Sequence, residues 1–378
     1  MYLIMKKISP QFLTGFLATF LTVNAAHAEP KEFPNITGNV LTQFQADRIA
    51  SSDKSGVSPN NAYVYIEPNM SLNFNKNWSI KTDWRLQPND VLTTRDPVNP
   101  ERYRTFLQTN RGFKVEEMGL IVEELKVQFE NEDMKFFAGK FDPTFGTAHS
   151  KAKRIGVFTS QFNEDYNLRE KIGGGFTALL ESRTITVNGF FNDTTGLSSS
   201  AINNRGRASR SDGAAGNTGT LSSYSVSMNG EDFFGVEDWF YNLGYRNLSV
   251  DKMENRSPEK GYVIGTEYLY NYTDRTSLIP LFEAVRINNF GGIQGRDATY
   301  TTMALMGKYS NWIASVSKLT RNINQTQGAS TASGSQLQFS VGYKFTNNIT
   351  LDFTRSNMKE DGNTGIMFGV LLSYVYQF

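Results

Sequence analysis

The sequence predicts an all-β chain, a transmembrane antiparallel β-barrel of sixteen strands with short turns on one rim and long loops on the other. Three observations carry this reading. Apolar and polar residues alternate with period two in segment after segment. The connections between those segments alternate short and long. The 378 residues have a mean hydropathy of −0.41, and residues 29–378 contain no apolar run long enough to cross a bilayer as a helix. That excludes a polytopic helical membrane protein but not a barrel, whose strands are apolar on one face only.

Composition removes other classes. The chain has no cysteine, which excludes disulfide scaffolds, thiolate metal sites, iron–sulfur clusters, a cysteine nucleophile and a lipidated cysteine anchor. A formal net charge of +1 argues against a nucleic-acid binder. No cofactor or metal is expected. Residues 1–28 read as a cleaved signal peptide: Lys6-Lys7, an apolar run from Phe12 to Val23, then Ala26-His27-Ala28 before Glu29. Cleavage leaves 350 residues with net charge −1, because Lys6 and Lys7 leave without an acid, and leaves His149 as the only histidine. Residues 29–378 then form a single barrel domain.

Strands are expected at 38–48, 62–75, 77–87, 119–130, 133–142, 172–182, 184–193, 221–230, 237–250, 260–273, 276–289, 299–309, 311–321, 335–346, 348–357 and 364–378. In the third, Trp78, Ile80, Thr82, Trp84 and Leu86 oppose Ser79, Lys81, Asp83 and Arg85. In the fourth, Glu123 falls on the apolar face of Leu125, Val127 and Phe129, so a bulge here or a strand start after Glu123 is expected. In the seventh, Ile185 and Val187 oppose Thr186 and Asn188, and in the eighth Tyr224, Val226 and Met228 oppose serines. The 276–289 strand is apolar on both faces, separates Glu283 from Arg286 and contains Pro280, so its register stays open. The last alternates from Ile366 through Phe368, Val370, Leu372, Tyr374 and Tyr376 to Phe378, its aromatics gathered where a membrane-interface girdle would sit.

Tight turns are expected between strands 2–3, 4–5, 6–7, 8–9, 10–11, 12–13 and 14–15, among them Asn75-Lys76, Asn131-Glu132 and Thr346-Asn347-Asn348. The longer connections are 49–61, 88–118, 143–171, 194–220, 251–259, 290–298, 322–334 and 358–363. A soluble sandwich or solenoid is the alternative, but sixteen one-faced strands would need a core that these loops cannot cover.

The closing Tyr374-Val375-Tyr376-Gln377-Phe378 and the stretch Ala138-Gly139-Lys140-Phe141-Asp142-Pro143-Thr144-Phe145-Gly146 resemble Gram-negative outer-membrane porins, the second stretch matching substrate-selective members. The resemblance implies an outer-membrane homotrimer passing small hydrophilic solutes, with the third loop, here 143–171, narrowing the lumen. It also implies that Tyr374, Tyr376 and Phe378 are read by the barrel-assembly machinery, and that the 88–118 loop latches a neighbouring subunit.

Lys81, Asp83, Arg85, Lys126, Lys140, Glu267, Lys308 and Asp352 fall on polar strand faces and are expected to line the pore, where charge biases ion flux. Loop 143–171 adds Lys151, Lys153 and Arg154 against Glu164 and Asp165. Folded inward, its cations would favour anionic solutes. Left outside, they would be solvated or meet lipopolysaccharide phosphates. The 194–220 segment reads as a flexible external loop. His149 alone selects no catalytic partner, so an enzyme is not expected. The function expected is passive diffusion with charge filtering. The alternatives are an anion-selective channel and a non-conducting adhesin or structural barrel.

Overall fold

The computed structural model describes residues 32–53, 60–88, 118–152, 162–202, 209–252, 256–325, 332–345 and 348–378. Its strands are β1 (Asn35–Ser52), β2 (Asn60–Asn73), β3 (Trp78–Pro88), β4 (Met118–Glu130), β5 (Met134–Phe141), β6 (Lys171–Leu180), β7 (Arg183–Asn192), β8 (Ser223–Gly230) and β9 (Trp239–Leu248). They continue as β10 (Glu259–Tyr268, extended by Tyr270–Thr273), β11 (Thr276–Asn288), β12 (Arg296–Tyr309), β13 (Trp312–Gln325), β14 (Ala332–Lys344), β15 (Ile349–Glu360) and β16 (Asn363–Gln377). Both segments of β10 pair with β11, so the seventeen hydrogen-bonded segments make sixteen strands. Every neighbour is antiparallel, and β16 returns to β1 from Asn39↔Gln377 to Ser52↔Gly365. Closure leaves the sheet without a free edge, as a bilayer requires of strands. No helix among the described residues is long and apolar enough to cross a membrane.

The predicted alternation is realised as inside and outside. Outward residues such as Leu125, Val127, Phe136, Val187 and Phe353 are exposed and apolar. Inward residues bond across strands, as Thr177 does with Thr186 at 3.0 Å and Asn188 with Ser225 at 3.0 Å. Aromatic pairs gather toward the short-turn rim: Trp78–Phe129 at 5.2 Å, Phe136–Phe176 at 4.8 Å, Trp312–Tyr343 at 4.8 Å and Tyr376–Phe378 at 5.9 Å. Asparagines set the turns there. Asn75 Oδ1 accepts from the N–H of Trp78 at 2.9 Å, and Asn131 Oδ1 from that of Met134 at 2.8 Å.

Of the two expected remedies for Glu123 the bulge is the one present, since the strand runs through this residue. The β3–β4 register slips between Asp83 and Trp84, so Glu123 turns inward beside Glu124 and is buried. The open register of 276–289 resolves with Ile279, Leu281, Glu283, Val285 and Ile287 inward and Leu278, Pro280 and Phe282 outward. Both faces are apolar because one meets the membrane side and the other a loop packed inside the barrel. Two connections depart from the predicted lengths. Strands β8 and β9 are joined not by a tight turn but by residues 231–238, which include a 3₁₀ turn at Phe233–Gly235. On the opposite rim β15 and β16 are joined by Asp361-Gly362 alone, both at positive φ (48° and 86°), which is hairpin-turn chemistry.

Candidate functional site

β5 stops at Phe141, and Pro143, which has no N–H for a ladder, turns the chain inward. Residues 142–152 and 162–170 then lie within the barrel. Asp142 closes the neck: its Oδ1 accepts from the N–H of Glu170 at 2.7 Å, while its own N–H donates to Glu124 Oε1 at 3.3 Å.

The loop is held by wall residues far away in sequence. Glu283 accepts at Oε2 from the N–H groups of Thr147 (2.6 Å) and Ala148 (2.9 Å), and at Oε1 from the Tyr166 hydroxyl (2.6 Å). It thereby satisfies the free donors at the start of the short helix Ala148–Lys151. Ala148 and Ala152 pack on Ile279, Leu281, Ala304 and Met306. Phe145 lies under the Arg246 guanidinium at 4.6 Å, and Arg246 bonds Glu259 and the Tyr166 carbonyl. Phe162 lies under Arg321 at 4.7 Å, and Arg321 donates to Asp165 at 3.1 Å and Glu360 at 2.7 Å. Two wall glycines give the rings room. A Cβ at Gly261 would stand 3.0 Å from Phe145, and one at Gly334 would stand 2.6 Å from Phe162.

On the opposite side the loop meets polar wall. Arg169 pairs with Glu164 at 2.7 Å and with Glu123 at 3.5 Å. Arg85 pairs with Glu123 and, at 3.4 Å, with Glu67. Groups of this charged arrangement, which joins loop to wall, keep contact with solvent: Arg169 is 21% exposed and Glu67 23%. Burial pushes the loop carboxyls up against the pull of their arginines, Asp165 to about 6 beside Arg321 and Asp142 to about 7 beside Arg169. Burial and then Glu283 raise the Tyr166 hydroxyl well above its usual range. Burial also opposes the Arg169 charge, but Glu164, Glu123 and Asp142 outweigh it and hold its pKa above the ordinary arginine value.

The sequence-predicted residues divide. Arg85, Asp83, Lys126 and Glu164 gather at this junction: Asp83 faces Glu124 across the bulge, and Lys126 pairs with Glu124 at 2.7 Å. Asp165 is an anchor for Arg321. Lys151 and Glu267 meet at 3.3 Å beside a cavity of about 350 Å³ below the helix, with Lys151 5.1 Å over Phe240. Lys81 is 4.0 Å from Glu130, while Lys308 and Asp352 lie inward on β12 and β15, away from the loop. Lys140 is a correction. It shares a register row with Leu125 and Ile172, and its ammonium is fully buried by Glu170 (2.9 Å), Asp193 (2.9 Å) and the Leu197 carbonyl (2.8 Å), so it does not line a lumen. His149 lies in the short helix. Lys153, Arg154 and the 89–117 part of the second long loop lie outside the described residues. Alternation alone could not single out Arg246, Glu259, Glu283, Arg321 or Glu360. The signal was the apolar inner face of β11, which has no place in an empty lumen. Among the described residues no acid–histidine cluster is placed to hold a metal.

The whole barrel resembles solved channels. DcaP, an outer membrane channel of Acinetobacter baumannii, superposes with a TM-score of 0.57 at 11% identity, covering 90% of this chain and 96% of that one. The chain shares the fold of these outer membrane channels, a closed sixteen-stranded antiparallel barrel. OmpT lacking loop L8, an outer membrane protein of Vibrio cholerae, gives 0.53 at 8% identity over 90% and 99% of the two chains. OpdK of Pseudomonas aeruginosa, solved with vanillate, gives 0.51 at 7% over 91% and 99%. No protein-family model and no curated protein sequence matches the chain.

Proposed function

We propose that this protein is an outer-membrane diffusion channel for small hydrophilic solutes, filtering by size and charge where residues 162–170 approach β2–β4. The observation that carries this is the inward loop: its apolar residues are packed on one wall while Glu164 and Arg169 are presented to Glu67, Arg85 and Glu123 on the other. A barrel that only displayed loops would need no charged contact across its interior. Low-dielectric walls focus the field of such charges on a permeating ion. The likeness to channels named as such supports the reading at the level of the fold.

Export by cleavage after Ala28, assembly through Tyr374, Tyr376 and Phe378, contact with lipopolysaccharide, and a homotrimer latched by loop 88–118 belong to the same proposal. The anion-selective version rests on Lys151, Lys153 and Arg154. Lys151 is matched by Glu267, and at the junction Glu67, Asp83, Glu123, Glu124 and Glu164 outnumber Arg85, Lys126 and Arg169. The balance favours a mild cation preference.

Liposome swelling with uncharged sugars of graded size tests the size filter. Entry of small sugars with a cut-off is expected. Exclusion of every sugar by a folded, heat-modifiable barrel would instead support the non-conducting adhesin or structural barrel.

A further inference from the structure

The outer wall near the long-loop rim carries unpaired positive charge. Alternation turns Lys318 of β13, Arg355 and Lys359 of β15, and Arg48 of β1 outward, and all four are exposed. The sheet register brings them together. Lys318, Leu337, Asn357, Ile366 and Ser51 form one row across five strands, with Arg355 and Lys359 flanking Asn357 along β15. One row nearer the short-turn rim, Arg48, Phe368 and Arg355 stand side by side, and the Arg355 guanidinium lies 6.0 Å from the Phe368 ring centre.

Among the described residues none of the four cations lies within ion-pair distance of a carboxylate. The two acids at the rim above are engaged elsewhere: Asp53 bonds Thr364, and Asp361 accepts from the N–H of Ser333 at 2.9 Å. Between Lys318 and Lys359 lies a groove of about 360 Å³, lined also by Ser51, Ser335, Asn357 and Thr364. Asn357 Oδ1 is buried there without a hydrogen-bond partner.

A lipid-facing cation is costly at mid-membrane and tolerated near the interface. Four together without counter-charge repel one another unless anions are supplied from outside. The two-residue turn Asp361-Gly362 makes the rim low at this point, which places the groove at headgroup level. The same wall at β8–β9 presents Tyr224, Val226, Leu243 and Tyr245 and no charge at those positions. We infer that this groove binds the phosphorylated saccharide headgroup of an outer-leaflet glycolipid. Lys318 and Lys359 hold a phosphate, Arg355 and Arg48 a second, and Asn357 Oδ1 accepts a sugar hydroxyl. The acyl chains run toward the short-turn rim over Phe339 and Phe368. The inference rests on the outer-membrane reading above.

The test is native mass spectrometry of the refolded full chain in neutral detergent, titrated with a bis-phosphorylated acylated glucosamine disaccharide. Its dephosphorylated form, phosphatidylethanolamine and inorganic phosphate serve as competitors. Stoichiometric retention of the phosphorylated lipid is expected, weakened at least ten-fold by Lys318→Ala with Lys359→Ala, and separately by Arg355→Ala. Lys260→Ala, elsewhere on the outer wall, is expected to leave it unchanged. A heat-modifiability shift establishes that each variant is folded. Equal binding of the dephosphorylated lipid, displacement by inorganic phosphate alone, or unchanged affinity in the double variant would overturn the site. Because the groove is outside the barrel, conductance is expected to be the same in all variants. A conducting barrel that retains no lipid therefore rejects the groove and leaves the channel standing, whereas a lipid-binding barrel that does not conduct does the reverse.

Discussion

At the scale of single residues, the interior is built from arginines placed between acids and aromatic rings. Arg321 touches Asp165, Glu360 and the face of Phe162, so its removal takes one shared counter-charge from two buried carboxylates. Arg321→Ala is expected to cost about 3–5 kcal/mol, the usual penalty for breaking one side of a buried pair. Chemical unfolding reads this directly, and a change under 1 kcal/mol would contradict the packing described. Asp165 adds a pH dependence. Its native pKa of about 6 lies above the unfolded carboxyl value, so between about pH 6 and pH 4 the native state holds a proton that the unfolded chain does not. This group's contribution therefore falls as pH rises through that window and grows as pH is lowered. Asp165→Asn is expected to flatten the slope of stability against pH between 4 and 6. An unchanged slope would remove Asp165 from the account. None of these roles was legible from alternation, which places a residue inside or outside but does not say which interior residue a distant loop will reach. Thr147 and Glu283 meet across 136 positions of sequence.

At the scale of elements, the strands were almost fully legible. The membrane side is uniform, so every outward position obeys the same rule and period two survives along the chain. The misfit at Glu123 left a bulge and a later strand start open, and the register slip at Asp83/Trp84 is the bulge. The loop was legible only in outline. Its inward course follows from Pro143 and the short β5, but its seat depends on wall residues that look like ordinary strand positions. Gly334 is one of these: it packs against Phe162, and any larger side chain there must expel the ring. Gly334→Leu is expected to unseat the loop while leaving the barrel closed. The checks are a higher single-channel conductance and faster proteolysis within 142–170, with unchanged heat-modifiability. The 194–220 segment shows the opposite error. Its Ser/Asn/Gly composition reads as flexible, yet its described parts are tied by Gly216 N–H to the Ser249 carbonyl at 2.7 Å and by Arg210 to Asp251. Short polar side chains that favour loops also satisfy a fixed loop's backbone.

At the scale of the whole molecule, closure joins the two ends of the described chain. Phe378 exchanges both backbone hydrogen bonds with Gly38, at 3.0 and 3.1 Å, and its ring lies over that glycine. Deleting Phe378 is expected to slow assembly in membranes and weaken the β1–β16 seam, seen as a lower temperature for loss of the folded band. Unchanged assembly and an unchanged transition would remove the last residue from both roles. The sixteen-strand plan came from the sequence because short–long alternation is a property of the whole chain. The sign of the filter did not, because alternation cannot tell that Lys140 is buried in ion pairs or that Lys151 is matched by Glu267. The most direct test of the central claim is planar-bilayer conductance of the refolded protein under a salt gradient. Stepwise openings are predicted, in groups of three if the barrel is a trimer. The reversal potential is predicted to favour cations and to move toward anions in Glu164→Gln. Silence from a folded barrel, or an anion-favouring potential that Glu164→Gln leaves in place, would contradict the account.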